Sequence, residues 1–119
     1  MHIDIPETKA RRYRARKTLA DRVREAILAL AGSEAQFLTH EEMPWASITF
    51  SGSRHELRLD FDGIAACKAG ERFIAALPEH EFTIPGMLVA DATIGEVDSR
   101  YTPEPRMVVT CTLLLVEDA

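Results

Sequence analysis

Leu19, Val23, Ala26, Ile27 and Leu30 recur at helical spacings that place their side chains on one face of a helix. Thr18 and Asp21 form a capping-box pair at its start, with Asp in place of the usual Glu or Gln, and Gly32 follows where a helix can end. Starting the helix at Thr8 would carry the apolar stripe back through Arg16 and Arg12 and lose its buried face. The helix is therefore expected from Thr18, with residues 9 to 17 as a solvated extension.

A period-two signal comes next. Ala46, Ile48 and Phe50 alternate with Ser47, Thr49 and Ser51, and beyond Gly52 and Ser53 the residues Leu57, Leu59 and Phe61 alternate with Glu56, Arg58, Asp60 and Asp62. This predicts an antiparallel hairpin with one wet face and one core face, turning at Gly52 and Ser53. A short strand is expected before it, over Ala35 to Glu42. Asp62 is expected to cap a second helix from about Ile64 to Leu77, with Ala66, Gly70, Phe73, Ile74 and Leu77 inward. Gly70 on that face implies close approach to the sheet, and Pro78 ends the helix. Met87 to Val97 and Met107 to Val116 read as two longer strands. Both are apolar at consecutive positions, the pattern of strands covered on both faces. Since two helices can cover only one face, the other is expected to be closed by a second copy of the chain.

The fold class is α+β: an antiparallel sheet of about four or five strands with two helices packed on one face. A further strand at His2 to Ile5 would allow a ferredoxin-like β-α-β-β-α-β threading with an extra edge strand. Residues 18 to 119 form a single compact domain behind a basic extension, residues 1 to 17.

Composition changes this picture mainly through charge. Lys9, Arg11, Arg12, Arg14, Arg16 and Lys17 supply six of the fourteen basic residues within nine positions. Residues 1 to 31 carry eight Lys/Arg against four Asp/Glu, and residues 32 to 119 carry six against fifteen, for −5 overall. Guanidinium groups on an arm, with Tyr13 interleaved for stacking, can neutralise phosphates. The same charges can equally solubilise the chain, or lie against the acidic body of their own or another molecule. Nucleic acid is not the preferred partner, because the body lacks a basic face. No apolar run approaches a membrane span and no secretory signal opens the chain, so a cytoplasmic protein without a membrane partner is expected.

Chemistry-bearing residues are sparse. Cys67 and Cys111 lack CxxC spacing and read as reduced core residues. His40, Glu41, Glu42, His55, Glu79, His80 and Glu81 are suitable metal ligands by type, but no HExxH spacing joins them, and solvated loops explain them better. His55 shares the parity of Leu57 and Leu59, which makes it a partly buried edge residue. Asp91 sits inside the apolar run Leu88 to Ala92 and, on a central strand, would need a partner such as Arg58 or Arg106. Trp45 is expected to anchor the strand entrance, with an interface hot spot as its alternative role. There is no GxSxG elbow and no phosphate-binding glycine loop.

Two function classes stay open alongside the nucleic-acid one. The first is a small cytoplasmic interaction or regulatory module, homodimeric, with its basic segment, including Tyr13, contacting an acidic protein. The second is a small-molecule-binding or weakly catalytic domain whose pocket between helices and sheet is formed by Asp91, His55 and His80. Neither a cofactor nor a metal is expected, and the lack of a concentrated catalytic set argues against an enzyme.

Overall fold

The computed structural model describes residues 16–118. The proposed strand at His2 to Ile5 and most of the basic segment lie outside them. The elements run α1 (Leu19–Ala31), β1 (Ala35–Ala46), β2 (Ser51–Asp62), α2 (Ile64–Ala76), a 3-10 turn (Leu77–Glu79), β3 (Met87–Arg100) and β4 (Arg106–Glu117). All strand pairs are antiparallel, in the order β1-β2-β4-β3, and both helices lie on one face. This is an α+β fold.

The place beside β2 that a ferredoxin-like sheet gives to its first strand is filled here by β4. β4 is accordingly a central strand, as its apolar run implies. β3 is an edge strand despite the same pattern, and its outward positions are exposed.

Local chemistry explains the element ends. Thr18 Oγ1 accepts from the Asp21 amide at 3.1 Å while Asp21 Oδ2 accepts from the Thr18 amide at 3.1 Å, which completes the capping box. The hairpin differs from its sequence reading. Its turn is Ser47 to Phe50, where the Ser47 amide donates to the Phe50 carbonyl at 2.7 Å and Ser47 Oγ accepts from the Phe50 amide at 3.0 Å. The alternation of Ile48 and Phe50 thus belongs to an exposed tip, and Gly52 lies within β2. Asp62 does not cap α2. It is still paired with Arg106 in the ladder, and Gly63, at φ 102°, is the N-cap.

Inward residues of β2 and β4 make the floor of the core: Leu57, Leu59, Phe61, Val109, Cys111, Leu113 and Leu115 are buried. Val23 and Ile27 of α1 and Ala66 and Phe73 of α2 pack onto them, and Leu77 and Ile84 continue the cover toward β3. A Cβ added to Gly70 would stand 3.0 Å from the Phe61 ring and 3.1 Å from Met107 Sδ, so this glycine does mark a close approach of helix to sheet. The 13-residue helices are about 20 Å long, while strands of 12 to 14 residues reach about 40–48 Å. Two hairpins consequently outrun the helical layer at opposite ends of the sheet.

Candidate interaction surface and a buried histidine relay

The sheet face turned away from the helices follows directly from the register. Across the four strands one row holds Trp45, Gly52, Val116 and Leu88, and the next holds Met43, Arg54, Leu114 and Asp91. Glu41, Glu56, Thr112 and Thr93 come third, then Thr39, Arg58 and Thr110. The far end carries Asp60, Val108 and Asp98, then Asp62, Arg106 and Arg100. Among the described residues no helix covers these positions. Leu38, Met43 and Leu88 are exposed, and Val108, Leu114 and Val116 are only half-buried. The β1–β2 tip adds exposed Phe50 and a fully exposed Ile48.

Trp45 faces this surface opposite the side-chain-free Gly52. Its indole Nε1 is buried without a hydrogen-bond partner among the described residues. A buried indole N–H ordinarily finds an acceptor. The face also has two shallow depressions. One, about 250 Å³, is lined by Leu38, Arg58, Asp98, Arg100, Arg106 and Val108. The other, about 70 Å³, is lined by Glu41, Met43, Arg54 and Glu56. Both are smaller than ordinary small-molecule sites and carry more charge.

On the helix side, polar side chains form a continuous relay. Asp21 Oδ1 accepts from Arg24 Nη2 at 2.7 Å, and Arg24 Nη1 lies 2.8 Å from His40 Nδ1. His40 Nε2 lies 2.8 Å from His55 Nδ1, and His55 Nε2 lies 2.8 Å from Ser53 Oγ. Arginine can only donate, so the direction of the whole chain is set. His40 Nδ1 accepts and its Nε2–H donates to His55 Nδ1, whose own Nε2–H donates to Ser53. Both imidazoles are therefore neutral. Burial is the main cause holding each pKa below 6.5, and for His40 the neighbouring His55 and Arg24 add to it, while Glu42 opposes the shift in both. Because the imidazole donates to Ser53 rather than accepting from it, and Ser53 is buried, the pair is not an activated nucleophile.

The residues Asp91, His55 and His80 do not meet. His55 lies opposite Leu113 on the inner face and is fully buried, on a central strand rather than an edge. Asp91 lies opposite Leu114 on the outer face and is exposed. It needs no partner there, and Arg106 instead binds Asp60, at 2.9 and 3.2 Å. His80 is exposed beyond the 3-10 turn, edge-on to Phe82 at 4.6 Å between ring centroids. None of the four principal depressions is lined by any of the three. Among the described residues no group of three or more His, Cys, Asp or Glu is placed to hold a metal. Burial raises the pKa of both thiols, that of Cys111 to about 12.

Of the basic segment, Lys9, Arg11, Arg12, Tyr13 and Arg14 lie outside the described residues. Arg16 and Lys17 are exposed, and Lys17 Nζ sits 2.6 Å from Glu25 Oε2 on α1. No helix among the described residues is long and apolar enough to cross a membrane.

Comparison with known proteins adds one likeness of fold. No protein-family model and no curated protein matches the chain. A solved structure described as "Virion of native gene transfer agent (GTA) particle" contains a chain that superposes with a TM-score of 0.55 at 14% identity, over 84% of this chain and 92% of that one. At that identity the shared property is the fold.

Proposed function

We propose that this chain is a small interaction module, cytoplasmic when it assembles, that works by associating with copies of itself, a homodimer being the minimal form. The observation that carries the reading is the outer face: a four-stranded sheet that, among the described residues, is covered by helices on one side only, with Trp45, Met43, Leu88, Leu114 and Val116 grouped on the other. A contiguous apolar group rimmed by charge is the mark of an interaction site. The similarly folded chain from a virion particle supports a structural role, because a particle is by nature an assembly. The pocket alternative loses its basis with the dispersal of Asp91, His55 and His80. The nucleic-acid alternative rests on a segment whose Lys17 already engages Glu25.

Analytical ultracentrifugation of the full chain from about 1 to 100 μM tests the proposal. A reversible, concentration-dependent shift to dimer or larger species is expected. A chain that stays monomeric throughout this range overturns it.

A further inference from the structure

The four middle outer positions of each central strand read the same in either direction, with the charges of β2 inverted. Along β2 they are Arg54, Glu56, Arg58 and Asp60, alternating plus, minus, plus, minus. Along β4 they are Val108, Thr110, Thr112 and Leu114, apolar at the ends and threonine in the middle. The midpoint of the first set is Leu57 and that of the second is Cys111, and these two residues are register partners. A single two-fold axis can therefore serve both strands.

We infer that two copies pack outer face to outer face about a two-fold axis that runs across the strands along the Leu57–Cys111 row. This rests on the proposal of self-association and names the surface that performs it. Reversing β2 against itself sets Arg54 over Asp60 and Glu56 over Arg58 of the second copy, and each contact occurs twice. Reversing β4 sets Val108 over Leu114 and Thr110 over Thr112. On β1, Met43 comes over Gln36, so the apolar pair across the axis is that of Val108 and Leu114 on β4. A two-fold interface must be self-complementary in this way.

Two features within one chain gain a reason. Glu41 and Glu56 are directly opposite neighbours, an unfavourable like-charge pair. The two-fold brings Arg58 of the second copy against them. None of Arg54, Glu56 and Arg58 has an ion-pair partner of its own among the described residues. Asp60 is already held by Arg106, and an ionised carboxylate has capacity for further donors. Against the arrangement stand Asp91 over Asp98 and, at the two ends of the face, Val116 over Arg106 and Leu88 over Arg100, where solvent and salt screen the charges.

The charge pattern makes its own test by reversal. Glu56→Arg sets like charges over each other at both symmetry-related positions, and so does Arg58→Glu. Each single variant is expected to weaken self-association about a hundredfold. The double variant Glu56→Arg/Arg58→Glu inverts both members of each pair and is expected to restore it to within about tenfold of the parent chain. Both residues are exposed, so circular dichroism and melting of the dilute proteins should match the parent. If the parent self-associates and the single variants do so equally well, or the double variant fails to recover, this surface is wrong while self-association stands. A strictly monomeric parent removes both.

Discussion

His55 has no exposed surface, yet each of its ring nitrogens has a partner, and this determines what the residue does. A proton added to either imidazole would turn an acceptor Nδ1 into a donor facing another donor. The folded state thus resists protonation, and both folded pKa values lie below 6.5. In the unfolded chain the same histidines bind protons at higher pH, so their contribution is fully present above about pH 6.5 and is lost as the pH falls toward the folded values. Melting temperature should accordingly drop between pH 7 and 5, and the part due to the imidazoles should vanish in a His40→Leu/His55→Leu/Ser53→Ala variant. Ser53→Ala alone leaves a buried N–H without an acceptor and is expected to cost about 1–3 kcal/mol by urea denaturation at pH 7.5. The inward parity of His55 was legible from the leucines after it. Its partners were not, because His40, with Arg24 behind it, comes from other elements that only the fold brings beside β2, and Ser53, two residues earlier on the same strand, reads from sequence as part of a turn.

Elements in this chain end where a side chain or a glycine meets a particular neighbour. Thr18 closes the first turn of α1 reciprocally with Asp21, and Thr18→Ala should cost about 1 kcal/mol in urea titration. Gly52 and Gly70 both mark close approaches, but of different kinds. A Cβ at Gly70 meets the Phe61 ring and Met107 Sδ, side chains that can yield, so Gly70→Ala should cost about 1–3 kcal/mol. A Cβ at Gly52 would collide with the Leu115 carbonyl of the neighbouring strand, and backbone cannot yield without breaking the ladder. Gly52→Ala should therefore be the more damaging of the two, as denaturant midpoints would show. From sequence, Gly52 with Ser53 resembles a turn, since a glycine needed for backbone contact and a glycine needed for turning leave the same local signature. Capping and helical periodicity are local and were legible. The turn at Ser47 to Phe50 depends on which residues pair across β1 and β2, and alternation alone does not specify that.

At the scale of the whole molecule, one layer of helices about 20 Å long lies on strands about twice that length, so among the described residues nothing packs on the second face of the sheet. Strand order explains why this was only partly legible: consecutive apolar residues suited a central position for both long strands, but the antiparallel order puts β4 inside and β3 at an edge. Leu114 shows the consequence most simply. It points outward from a central strand and is half-buried, while its neighbours Leu113 and Leu115 point into the core and are buried. Leu114→Lys leaves the core untouched, and a lysine stem can lie along the sheet with its ammonium in water, so the isolated chain should lose little stability. In an assembly, however, that ammonium would be set against apolar Val108 of the second copy. Association with a partner raises apparent stability by mass action, so the parent's melting temperature should climb with protein concentration. The Leu114→Lys chain should melt at one temperature from about 1 to 100 μM, matching the parent at its most dilute. If the variant keeps the parent's concentration dependence, the outer face of β4 is not where the copies meet.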